Sequence, residues 1–128
     1  MPGDAIAHIL MAAAKRDLKA LGNMLDTELF DDQIFGFHAQ QAIEKALKAW
    51  LRFFQRSHPF THDLGLLLHM LEEHGTDVEL YWDFVGLSGY AGLLRYDTFP
   101  EDTGALNRAD LFKDVKALFE QVEKMIEG

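Results

Sequence analysis

Four basic residues of this 128-residue chain fall at helical spacing. Lys45, Lys48, Arg52 and Arg56 are separated by three, four and four residues, which lines them along one stripe of an α-helix. Lysine offers a compact ammonium and arginine a planar fork of donors, so such a stripe suits phosphate oxygens. It equally suits a solvated helix face opposite the apolar side that carries Trp50. A further cation, Arg95, stands beside Tyr96 where an apolar pattern stops, and Asp97, Pro100, Glu101 and Asp102 follow. A cation at a helix C-terminus is favoured by the helix dipole, and Asp97, Glu101 and Asp102 are available to pair with it. The same cation would also serve an anion bound at the end of that helix.

The charge balance sharpens the choice. The chain carries a formal net charge of −9. Residues 31–62 hold Lys45, Lys48, Arg52 and Arg56 against Asp31, Asp32 and Glu44, a local +1 that leaves −10 to the remainder. An acidic chain repels nucleic-acid phosphate at long range, so binding to nucleic acid is not expected. A small anion, if one binds, is expected where the positive charge is gathered.

Other chemistry is thinly represented. There is no cysteine, which removes disulfides and thiolate-held metals and fits a cytoplasmic protein. Of six histidines, His58 and His62 straddle Pro59, while His69 and His74 are five apart, and no H-E-x-x-H occurs. No metal site and no cofactor are expected from that pattern. Gly86, Gly89 and Gly92 recur every three residues, a spacing that matches neither a P-loop nor a dinucleotide fingerprint. A narrow groove for close helix packing is the expectation there. The basic residues near the start, Lys15 and Arg16, follow an apolar run instead of preceding it, so no signal peptide is expected. No apolar run reaches the ~18 residues that a membrane span needs.

Five amphipathic segments would have to position these groups. The first runs from about Asp4 to Glu28, with Ile6, Leu10, Ala14, Leu18, Leu21 and Leu25 as its apolar positions. The second runs from about Asp31 to Arg56, with Ile43, Leu47, Trp50, Leu51 and Phe54 on one stripe. Ala39, Ala42, Ala46 and Ala49 form another, small enough for a second helix to approach closely. Pro59 breaks the pattern. Thr61 then reads as an N-cap for a third helix that Gly75 ends. Thr76-x-x-Glu79 resembles a capping box for a fourth, whose apolar face is Leu80, Phe84, Leu87, Ala91 and Leu94. A turn-rich connection over 97–106 leads to a fifth, from about Asn107 to Ile126. No segment alternates as a strand does. The expectation is an all-α, up-and-down bundle of about five helices, a single domain over residues 1–128.

The stretches "FHAQQAIEKALKAWL", "THDLGLLLHML" and "SGYAGLLRYD", in that order, resemble the HEPN domain (higher eukaryotes and prokaryotes nucleotide-binding). The resemblance spans nearly the whole chain. It implies a helical bundle, commonly a homodimer, that binds nucleotides or works beside a minimal nucleotidyltransferase in a toxin–antitoxin pair. Many members are metal-independent ribonucleases with an R-x4–6-H motif at the end of the fourth helix. Arg95 matches that arginine, but four to six intervening residues lead to Pro100, Glu101 and Asp102, and no histidine follows His74. Imidazole handles protons near neutral pH in a way an ordinary carboxylate does not. The expectation is therefore a non-catalytic protein that binds a nucleotide or another phosphate-bearing ligand. Lys45, Lys48, Arg52, Arg95 and His62 are its candidate phosphate contacts, with Tyr90 and Tyr96 to stack on or hydrogen-bond the base or ribose. The alternatives are a divergent ribonuclease toxin and a pure protein-interaction module.

Overall fold

The computed structural model describes residues 5–95 and 106–128, with side chains given as far as Ser88 before the gap. Four α-helices and one 3-10 helix account for most of these residues: α1 (Ala5–Asn23), α2 (Asp32–Phe53), α3 (Leu64–Glu73), a 3-10 helix (Glu79–Arg95) and α4 (Arg108–Glu127). No strand occurs among the described residues. The fold is an all-α helical bundle.

α2 is its centre. It packs against α1, α3, α4 and the 3-10 helix, and its closest partnership is with α1. The alanine stripe explains the closeness. Ala39, Ala42, Ala46 and Ala49 are all buried, and Ala7, Met11, Ala14 and Leu21 of α1 are buried with them in one core. The bulky side of α2, with Phe35, Ile43, Leu47, Trp50 and Leu51, fills the rest of that core. A helix surrounded by neighbours is normally apolar all round. α2 is not, for it buries Gln40, Glu44 and Lys48 as well.

Several boundaries differ from the sequence reading. α2 stops at Phe53, three residues short of Arg56. Gln55 takes a left-handed φ of 60°. Its N–H reaches the Arg52 carbonyl and the Arg56 N–H reaches the Leu51 carbonyl, the paired bonds of a Schellman ending. Arg56 is thereby off the helix, and the cationic stripe keeps only Lys45, Lys48 and Arg52. α3 is capped by Asp63, not Thr61. The Asp63 carboxylate accepts from the N–H groups of Gly65 and Leu66, while the Thr61 hydroxyl accepts from the Asp63 N–H. α1 begins at Ala5 and ends at Asn23, so Leu25 and Glu28 lie beyond it. Its buried face is rotated from the one expected, and Ile6 and Leu25 are exposed.

The fourth segment differs most. Its buried residues as far as Ser88 are Val78, Tyr81, Phe84 and Leu87, spaced at intervals of three, as a 3-10 helix with 3.0 residues per turn requires. Leu80, placed on the apolar face by an α-helical period, is 85% exposed. A side chain added at Gly86 would meet nothing within 4 Å, so Gly86 is not a close-packing position. The side chains of Ala91 and Leu94, and the positions of Gly89 and Gly92 in the expected groove, lie outside the side-chain description. Asp4 and the connection at 97–105 lie outside the described residues.

Candidate functional site on α2

Along α2, His38, Gln41, Lys45, Lys48 and Arg52 follow one another at spacings of three, four, three and four. They form a polar seam on a helix otherwise enclosed by apolar neighbours. Two carboxylates meet it. Asp17 comes from the buried face of α1 and accepts from His38 Nδ1 at 3.0 Å and from Lys45 Nζ at 2.6 Å. Glu44 comes from α2 itself and accepts from Lys48 Nζ at 2.8 Å on one oxygen.

The other Glu44 oxygen accepts twice more, from Gln40 Nε2 and from His62 Nδ1, both at 2.8 Å. Gln40 is fully buried. Its amide nitrogen also donates to the His62 carbonyl at 3.2 Å, and its amide oxygen accepts from Gln41 Nε2 at 2.7 Å. Both the backbone and the ring of His62 are thus tied to α2. An ionised carboxylate only accepts, so the proton on this edge of the ring sits on Nδ1. The His62 side chain is 61% exposed, whereas Glu44 is buried. The second ring nitrogen is not engaged by Glu44.

Electrostatics favour this arrangement. Burial alone would raise the pKa of Glu44. The hydrogen bonds from Lys48, Gln40 and His62, with the charge of Lys48, outweigh that and leave the carboxyl below its ordinary value. The site is completed by the turn before α3. There the Leu64 N–H donates to the Ser88 hydroxyl at 3.0 Å, fixing the start of α3 against the 3-10 helix that runs on to Arg95.

A family model described as HEPN domain matches residues 7–127. The chain belongs to the HEPN domain family. The match runs from α1 to the end of α4, so the polar seam and its two carboxylates lie wholly inside the HEPN domain. No curated protein and no solved structure matches the chain.

Of the candidate residues, Lys45, Lys48 and Arg52 share the seam of this HEPN domain, and His62 joins Lys48 through Glu44. The two lysines are not the open pair that their spacing predicts. Each is engaged by its own carboxylate, and Lys48 is buried. The side chains of Tyr90 and Arg95 lie outside the side-chain description, and Tyr96 lies outside the described residues. Asp17, His38, Gln40 and Glu44 are the members that spacing alone does not single out. Two signals for them are in the sequence: an acid at a core-facing position of α1, and a Glu–Lys pair at i and i+4 on a helix with few outward faces. A separate cleft of about 190 Å³ opens between α1 and α4, lined by His8, Met11, Lys15, Phe119 and Glu123 among others, and contains none of the candidate residues. Among the described residues no three acidic or histidine side chains gather to hold a metal ion, and no helix is long and apolar enough to cross a membrane.

Proposed function

We propose that this HEPN-domain protein binds a nucleotide or a nucleotide-like anion on the α2 seam, in the cytoplasm, as a homodimer that partners a minimal nucleotidyltransferase. One observation carries the binding reading. Lys45, Lys48 and Arg52 share one face of α2, with His62 at its solvent edge. On a chain of net charge −9, that gathering of basic side chains is where a small phosphate-bearing ligand would be drawn. Arg95, at the end of the 3-10 helix, is the further cation that the family motif supplies.

Titration calorimetry of the purified chain with non-hydrolysable analogues of ATP and GTP tests this. Binding heat, a melting temperature that rises with millimolar ligand, and loss of both in Arg52→Ala are expected. No heat and no thermal shift with either analogue would remove the nucleotide reading.

A docking reading has its own support. The 3-10 period turns Leu80 fully outward and leaves Trp82 partly exposed near Gly65, and Leu66 is exposed as well. Those apolar side chains are where a partner protein would lie. Co-purification of a partner that survives Arg52→Ala but is lost in Leu80→Asp would favour that role.

A further inference from the structure

The His62–Glu44 pair has the geometry of a proton-transfer centre. Glu44 is buried and held on both oxygens, by Lys48 on one and by Gln40 and His62 on the other. Gln40 also grips the His62 backbone. With Nδ1–H committed to the carboxylate and the side chain 61% exposed, Nε2 is the ring nitrogen left to accept a proton. The carboxylate would stabilise the imidazolium that forms when that nitrogen takes a proton. A histidine serving only to satisfy a buried acid does not need an exposed ring, and Lys48 with Gln40 already supply Glu44 with two donors. Lys48 and His62 occupy the two oxygens of one carboxylate, so a cation lies close beside the imidazole. Arg52 follows one turn further along the seam.

We propose that His62 is a general base for hydrolysis of a nucleoside polyphosphate bound on the α2 seam, with Glu44 and Gln40 as its positioning residues. The inference rests on the nucleotide-binding reading above and goes beyond it to a reaction. A water molecule between Nε2 and the terminal phosphorus gives its proton to Nε2 as its oxygen bonds to phosphorus. The bond from that phosphorus to the bridging oxygen breaks. The electron pair leaves on the nucleoside phosphate, which departs as an anion and needs no proton from the protein. The proton on Nε2 then passes to solvent. One water is consumed, and inorganic phosphate and the shortened nucleotide are released.

The test is inorganic phosphate release from the magnesium complexes of ATP and GTP by the purified full chain. His62→Asn is the informative variant, since its amide N–H replaces the donor to Glu44 but offers no second ring nitrogen. It should fold with an unchanged melting temperature and lose about a hundredfold or more in turnover. His62→Gly should lose as much and recover part of it when free imidazole is added. Glu44→Gln should lower kcat with little change in KM. No release by the native chain would overturn the proposal. So would release that is unchanged in His62→Asn, or imidazole that restores nothing. The analogue titration separates the two readings: heat without phosphate release leaves binding standing and ends the hydrolysis proposal, and neither heat nor release ends both.

Discussion

Lys48 donates to Glu44 from one turn further along the same helix, at 2.8 Å, with both side chains buried. Charges taken out of water are costly, and a buried pair returns that cost only while both partners stay and the remaining hydrogen-bonding capacity is met. Here Gln40 and His62 meet it for Glu44. Lys48→Met should therefore destabilise the fold by about 3 kcal/mol, because Glu44 keeps its charge and loses its counter-ion. The double variant Lys48→Met with Glu44→Gln should regain most of that loss. Urea unfolding of the two single variants and the double would measure the coupling. A coupling near zero would show that the pair is not what holds Glu44 ionised.

The same carboxyl sets an acid limit. Its folded pKa lies below the ordinary value, so the folded state keeps Glu44 ionised where the unfolded chain begins to take up a proton. The resulting stabilisation is present above the unfolded value of about 4.3 and is lost as pH falls through the lower, folded value. The urea midpoint of the native chain should decline more steeply on acidification below about pH 4.3 than that of Glu44→Gln. Parallel slopes would assign the acid sensitivity to other carboxylates.

The bundle and most of its helix limits are legible from apolar spacing, since burial of a stripe is a local property of the sequence. Gly75 as a stop and Asn107 at the start of the last helix are of this kind, with φ of 88° at the glycine and the Asn107 side chain accepting from the Asp110 N–H. The period of the fourth segment is not legible in the same way. Leu80, Phe84 and Leu87 fit an α-helical face, and only packing reveals that Val78, Tyr81, Phe84 and Leu87 are the buried set. The seam was half visible. Spacing places Lys45, Lys48 and Arg52 together and sets Glu44 one turn before Lys48, but Asp17 and His62 arrive from elsewhere. Asp17 is 28 residues from Lys45, and Glu44 is 18 residues from His62. Pairings at such separations depend on how the helices cross, which no local pattern encodes.

Arg108 is a basic residue that spends all its donors on structure. It is buried, donates to the carbonyls of Met24, Asp26 and Phe30, forks onto Asp32, and lies over the Phe35 ring at 5.2 Å. It thereby ties the α1–α2 connection to the first turn of α4. Arg108→Met should cost about 3 kcal/mol or more, since three carbonyls, that of Met24 buried, and the Asp32 carboxylate lose their donor at once. Arg108→Lys should recover little, because an ammonium cannot reproduce the planar fork. Thermal unfolding of both variants checks this, and a lysine variant as stable as the native chain would refute it.

The end of α2 offers a stabilising change. Gln55 sits at φ 60° in a position where two carbonyls of the last turn are recovered by the Gln55 and Arg56 N–H groups. A side chain with a Cβ is strained in that region, by about 1–2 kcal/mol, and glycine is not. Part of the gain is returned, because glycine has more freedom to lose from the unfolded chain. Gln55→Gly should therefore raise stability by about 0.5–1 kcal/mol. The equivalent ending of α3 already carries Gly75, at φ 88° with open space around a notional Cβ. Gly75→Ala should cost about 1 kcal/mol from backbone strain alone. Opposite shifts in melting temperature for the two variants are expected. A loss of stability in Gln55→Gly would mean that the glutamine side chain makes a contact worth more than the strain it imposes.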